Sequence, residues 1–432
     1  MWKATSVCKS MRRNVCIVIL ATVALWGCTG KGGADIAPAA ICWDAATNGT
    51  STRAYPDGFG AYPNYAGCTF GAYAMLTEPL WNASSTCVPY VDNQEVSYSE
   101  AETAWTTRGT YYWPQEGYLH FAAYSPYKTL NPPVTASSLV SFTSANKNKG
   151  IVISNFDVPT DIDDQTFVTR EVNAETHETE VVSYDYDLMI SDGVDCDYDC
   201  AQTVTNGYRP TLVGGGTTPV SLYGSGYKIG VHTRFKHIMT KLTFRFRMQT
   251  TDLGFQDQRI YIKSIVLKNL YSRGTYTSGD TYADGAWTYP AIPVQSDGTL
   301  VSYTNEEISN FEAPVIHCRK EGDVLVSDPV TVVDNYFALP QTLTESDSAP
   351  YGQQIEITYV VFTINGGYYI WDRTVTVPAV FLRTDAVPAW ERGTNVTYTV
   401  ALAPAQDMIT FDVSWDEWPG PSGWNTFTIT DK

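Results

Sequence analysis

The sequence predicts an all-β protein built of β-sandwiches, and three observations carry that expectation. No long stretch repeats apolar residues at helical spacing. β-Branched and aromatic residues instead alternate in short runs, in a chain whose aromatics reach 13%. Gly, Pro, Asn and Asp interrupt those runs, as turns between short strands require.

Alternation places the elements in order. In "AAICWDAA", Ala39, Ile41, Trp43 and Ala45 fall on one side, which reads as a first strand. "STRAYPDGFGAYPN" follows as an exposed Pro/Gly-rich connection. Further strands are expected at 69–74, 118–124, 151–154, 186–191, 231–235, 241–248 and 260–270. A stretch rich in Tyr, Gly, Asp and Pro runs from about 275 to 298, and a domain boundary is expected at its start. Beyond it, strands are expected at 336–339, 354–363, 368–377, 395–401 and 409–415. Asn365-Gly366-Gly367 lies between two alternating runs and signals a hairpin.

The N-terminus carries a different pattern. Lys3, Lys9, Arg12 and Arg13 precede the uncharged run VCIVILATVALW. That run is too short to span a bilayer, which takes about 20 residues, and it fits the apolar part of a secretory signal. Leu25, Gly27 and Cys28 match the lipobox of bacterial lipoproteins, although Trp26 stands where a smaller residue is usual. Residues 1–27 are therefore expected to be a signal peptide, with a diacylglycerol on the Cys28 sulfur anchoring the chain to the outer membrane. The competing reading is an ordinary signal with an incidental cysteine. Each acyl CH₂ in lipid is worth roughly 0.8 kcal/mol, so several chains on one cysteine hold firmly.

Charge and cysteine content narrow the partners. The net charge of −18 argues against nucleic-acid binding, which needs basic patches. After removal of the signal, Cys42, Cys68, Cys87, Cys196, Cys200 and Cys318 accompany the anchor Cys28. Disulfides and thiols are both open for these six, and spacing does not choose a pairing.

Tyr112-Trp113-Pro114, followed by Leu119, Phe121, Ala123, Tyr124 and Pro126, resembles a signature of fimbrillin-family proteins. Other features stand in the family's order: Thr52-Arg53-Ala54, Asp187-Leu188-Met189, Phe235 with His237, Leu339-Pro340-Gln341, and Trp390 with Gly393 and Tyr398. The resemblance implies two transthyretin-like β-sandwich domains, here 54–274 and 275–432, and a subunit of type V pili. It also implies lipoprotein export and removal of 28–53, the tether and first strand, by an Arg- or Lys-specific protease cutting between Arg53 and Ala54. The partners it implies are other fimbrial subunits, joined head to tail, and surface receptors.

Elementary physics makes strand exchange reasonable. A sheet missing a strand exposes N–H and C=O groups beside an apolar groove, a template for another chain. Because donor and acceptor are different surfaces, the contact grows open filaments. Ile41 and Trp43 are the side chains expected in the groove before processing, and burying two such groups is worth roughly 3–6 kcal/mol. Arg53 also reads as a plain surface arginine. The tether TGKGGAD lacks an acidic cluster, and the tail leaves only "WNTFTITDK" as a donor strand, with Trp424, Phe427 and Ile429 in imperfect alternation. The first departure weakens the expectation of outward display, and the second leans toward an accessory or tip subunit over a shaft subunit, which needs both groove and donor strand.

No catalytic residue, metal site or cofactor is expected. His177-Glu178 lacks the second histidine of a zinc-protease motif, since Val181 stands there. His237 is expected to be a packed core histidine. Asp192, Asp195, Asp197 and Asp199 are spaced like a calcium loop, but Cys200 replaces its glycine, so a solvated acidic loop is expected. Ser125 and Lys128 fit an S-x-x-K pattern without the helix start that serine needs. A second functional reading is a non-polymerising, lipid-anchored glycan-binding module. It would stack sugars on Trp105, Tyr111, Trp287 and Tyr289, residues that sandwich packing would equally employ.

Overall fold

Alternating runs become strands almost throughout the computed structural model. It describes residues 40–47, 69–78, 80, 86–99, 104–132, 138–142, 150–159, 165–172, 179–191, 193, 196–201, 210–213, 223–224, 227–228, 230–249, 258–279, 282–290, 299–304, 315–343, 353–363, 369–383, 387–403 and 408–417. The all-β expectation is borne out; among the described residues the α-helix is a single turn, α1 (Tyr127–Leu130).

The first run comprises β1 (Trp43–Thr47), β2 (Thr69–Glu78), β3 (Thr86–Ser99), β4 (Ala104–Thr107), β5 (Tyr118–Ser125), β6 (Val140–Ser141) and β7 (Val152–Asp157). It continues through β8 (Thr166–Val172), β9 (Thr179–Asp185), β10 (Met189–Ser191), β11 (Asp197–Asp199), β12 (Thr211–Leu212), β13 (Tyr223–Gly224), β14 (Tyr227–Lys228) and β15 (Val231–His237). The second run comprises β16 (Thr240–Met248), β17 (Gln258–Lys268), β18 (Arg273–Thr277), β19 (Ala286–Thr288), β20 (Thr299–Thr304), β21 (Val315–His317), β22 (Arg319–Glu321) and β23 (Val324–Val326). It ends with β24 (Val330–Ala338), β25 (Gln341–Thr342), β26 (Gln354–Thr363), β27 (Tyr369–Pro378), β28 (Ala389–Trp390), β29 (Thr394–Ala403) and β30 (Met408–Glu417).

The largest sheet runs β10-β15-β1-β4-β3-β2-β5-β11-β12. β10 also pairs with β5 through Met189↔Ser125 and Ile190↔Tyr124. β1, β4, β3, β2, β5, β10 and β15 thus form a closed circuit of paired strands, which removes the exposed edges an open sheet would carry. Phe70, Ala72 and Ala74 of β2 face the interior core with Ile41, Trp43, Phe121 and Phe235. Tyr73 and Met75 face the other way, into a second core with Tyr124, Phe142, Ile153 and Tyr276. The small sheet β19-β18-β7-β6 supplies part of that second core. Burial on both faces explains why β2 reads as a continuous apolar run.

Further along, the sheets β24-β16-β29-β30 and β20-β17-β26-β27 share another core. Leu242, Phe244, Phe246 and Met248 of β16 enter it with strict period two. In β17 the buried positions switch from Ile260 and Ile262 to Ile265 and Leu267. The cause is a register shift against β26 between Ile262 and Ser264, where one extra residue flips the facing side.

Pairing crosses the expected 274/275 boundary from both sides. β16 and β17 pair with β29 and β26, whereas β18 returns to β7 and pairs with β19. The Tyr/Gly-rich stretch after 275 begins as a sheet strand, with Tyr276 opposite Trp287. Gln165 ties the two runs together: its Nε2 donates to Phe337 O at 2.8 Å, and Phe337 N–H donates to its Oε1 at 2.7 Å. The described strands belong to one compact unit spanning Pro38–Lys432.

Candidate functional site

The first strand does not lie at an edge. β1 sits inside the large sheet between β15 and β4. On one side it runs parallel to β15 over five register pairs, from Trp43↔Val231 to Thr47↔Phe235. Val231 N–H donates to Cys42 O at 2.7 Å, extending that ladder backwards. On the other side Trp43 faces Trp105 in antiparallel register, Ile41 N–H donates to Tyr111 O at 2.7 Å, and Ala40 bridges Tyr112. The β15 side is thus a continuous ladder, and the β4 side is a shorter grip around Trp43.

The side chains follow the alternation expected of them. Ile41, Trp43 and Ala45 are buried in the interior core, with Ile41 at 4% and Trp43 at 3% exposure. Phe70 contacts both Trp105 and Phe235, with ring centroids 5.6 and 5.3 Å away, so the slot that receives β1 has aromatic walls. Cys28, Arg53, Ala54, Ala39 and the tail residues Trp424, Phe427 and Ile429 lie outside the described residues.

The other sequence-derived candidates resolve differently. His237 is a packed histidine, 2.7 Å through Nδ1 from Asp187 Oδ1. Ser125 is buried at the end of β5, with its hydroxyl donating to Thr69 O at 3.5 Å. Asp192 and Asp195 lie outside the described residues, while Asp199 Oδ1 accepts the Ala201 N–H at 2.8 Å. Burial pushes the Cys200 thiol up to about 12, which leaves it inert. Among the described residues no disulfide joins any two of Cys42, Cys87, Cys196, Cys200 and Cys318.

The aromatic candidates for sugar stacking are engaged in packing. Trp105 is buried, and Tyr111 packs against the interior core. Trp287 Nε1 donates to Ile238 O at 2.7 Å. The Tyr289 ring stacks on Tyr271 with centroids 4.5 Å apart, and its hydroxyl donates to Pro340 O. No helix among the described residues is long and apolar enough to cross a membrane.

Residues 216–418 match the fimbrillin-like family. The fimbrillin-like stretch takes in β13 to β30, and so includes β15, the strand along which β1 lies. Solved fimbrial proteins are similar to this chain. A fimbrial protein from Bacteroides vulgatus aligns at 15% identity and a TM-score of 0.48, over 88% of this chain and 99% of that one. The fimbrial anchor protein Mfa2 from Porphyromonas gingivalis aligns at 10% identity and 0.25, over 88% and 98%. The tip fimbrial protein Mfa3 from the same organism, truncated at its C-terminus, aligns at 14% and 0.28, over 81% and 94%. No curated protein matches the chain.

Proposed function

We propose that this chain is a structural subunit of a fimbrium serving cell-surface adhesion. It is exported as a lipoprotein held to the outer membrane through Cys28 and displayed in an extracellular fimbrium, and its assembly follows proteolysis between Arg53 and Ala54. The observation that supports this reading best is the seat of β1: a strand near the chain's start fills an interior slot of a closed sheet, held parallel to β15.

Removing such a strand would expose the N–H and C=O groups of β15 and β4 on either side of an apolar slot. While the chain is intact, β1 occupies the slot as an intramolecular ligand with high effective concentration. A cut after Arg53, six residues beyond Thr47, turns it into a separate peptide that a strand from another subunit can replace. Partner strands in the slot would link subunits head to tail without closure.

Trypsin treatment of the folded chain tests the reading. The expected result is a cut at Arg53, found by N-terminal sequencing, followed by ladders of oligomers on an unboiled denaturing gel. Arg53→Ala should keep the fold and the lipid yet fail to assemble. Filaments at normal yield from that variant would overturn the proposal.

A further inference from the structure

His120, Cys196 and Asp197 bring an imidazole nitrogen, a thiol sulfur and a carboxylate oxygen within 4.8 Å of one another. Two paired strands fix them. His120 on β5 and Asp197 on β11 are register partners, and Phe121 N–H donates to Cys196 O at 2.9 Å, binding the cysteine to the same ladder. His120 Nδ1 stands 2.8 Å from Asp197 Oδ1 and 3.8 Å from Cys196 Sγ, and Sγ stands 3.9 Å from Asp197 Oδ2.

From these separations we propose that His120, Cys196 and Asp197 form a binding site for a zinc-class divalent cation. With bonds of about 2.0–2.3 Å, tetrahedral ligand atoms sit roughly 3.3–3.8 Å apart. The Cys196 Sγ–His120 Nδ1 separation of 3.8 Å is close to that. The carboxylate approaches the imidazole through Oδ1 and the thiol through Oδ2, so Asp197, 30% exposed, must turn to bring one oxygen to both. One nitrogen, one sulfur and one oxygen suit borderline-soft Zn²⁺, whereas Ca²⁺ and Mg²⁺ ask for about six oxygens. A cavity of about 10 Å³, close to the space one water needs, lies against Cys196, lined also by Trp43, Gly193, Phe121 and Thr233.

Binding has a defined proton balance. The Cys196 thiol, whose sulfur lies 3.2 Å from Gly193 O, gives up its proton to solvent and coordinates as thiolate. His120 coordinates through Nδ1 with its proton on Nε2. The three ligands lie on β5 and on the β11 segment paired with it, while Trp43 of β1 lines the cavity beside Cys196.

The test is a Co²⁺ titration of the reduced full chain, followed by Zn²⁺. The expected result is a thiolate-to-cobalt charge-transfer band with tetrahedral d–d bands, displaced by one equivalent of Zn²⁺. Cys196→Ser should abolish the charge-transfer band, and Cys318→Ser should leave it. His120→Ala should weaken binding by more than the roughly 10–100-fold that loss of an outer partner costs. Because Cys196→Ser could unfold the chain, alkylation of the wild type mapped by mass spectrometry gives a second readout, in which Zn²⁺ protects Cys196. Absence of a thiolate band, its persistence in folded Cys196→Ser, or a failure of Zn²⁺ to protect Cys196 would overturn the site.

Discussion

Trp43 of β1 faces Trp105 of β4 in direct antiparallel register, and both indoles are buried in one core. The pair anchors the side of β1 where the ladder is short, whereas the β15 side is held by backbone bonds along the whole strand. Backbone bonds do not depend on side-chain identity, so the buried indole is the part of this seat that is specific to the segment. Trp43→Ala should lower the unfolding free energy of the uncleaved chain by about 3–5 kcal/mol in denaturant titrations. Val324→Ala, at a side chain 62% exposed, should stay within about 0.5 kcal/mol.

Gly71 and Tyr124 are opposite each other on β2 and β5, and the tyrosine ring lies over the glycine. A Cβ at position 71 would fall inside that ring, which is fixed by Asn131 Nδ2 donating to its hydroxyl at 2.7 Å and by a bond from that hydroxyl to Asn93 Oδ1. Gly71→Ala should therefore destabilise the fold by about 1–3 kcal/mol, although alanine is the better strand residue elsewhere. Tyr124→Ala in the same background opens the space. The double variant should lose less than the sum of the two single losses, a coupling that a denaturant double-mutant cycle reads directly.

Strands whose alternation met a single core were legible in the sequence. The 354–363 expectation coincides with β26, and Ile41 and Trp43 face the core as the alternation requires. The long β3 escaped because its apolar residues do not announce a buried face: it carries Pro89, and Val88 is exposed. The strand expected at 186–191 narrows to β10, with Ile238 N–H still donating to Leu188 O at 2.9 Å in line with the β10–β15 register. Closure of the large sheet rests on two pairs between β10 and β5, and no local pattern encodes a contact across that separation. The His120–Cys196–Asp197 cluster was hidden for the same reason: it is assembled by register between strands, with histidine and cysteine 76 positions apart in the sequence.

Asp187 and His237 make a buried pair at 2.7 Å, with side chains 7% and 3% exposed, where β15 meets the segment before β10. Truncating one partner leaves the other's polar atom desolvated and short of a bond, which costs about 1–3 kcal/mol. Asp187→Ala should show that loss in thermal or denaturant unfolding. Asp187→Asn should show less, because its amide oxygen still accepts from the imidazole.

Burial of ionisable groups sets an alkaline limit on the fold. The Cys200 thiol is raised from 9.0 to about 12, chiefly by burial. Tyr73, Tyr124, Tyr276, Tyr289 and Tyr398 are raised above the ordinary phenol value of 10.0, again with burial as the largest cause. In each case the unfolded chain loses its proton at lower pH than the folded one. The stabilisation is therefore fully present below about pH 9 and is lost as pH rises through the folded-state values. The denaturation midpoint should fall as pH rises beyond that point. Tyrosinate absorbance from the five phenols should rise together with the loss of near-ultraviolet circular dichroism, as one transition. Cys200→Ala should move the onset upward, toward the phenol range. Phenols that ionised while the dichroism stayed native would mean that the cores admit water, and the burial of these rings would then be wrong.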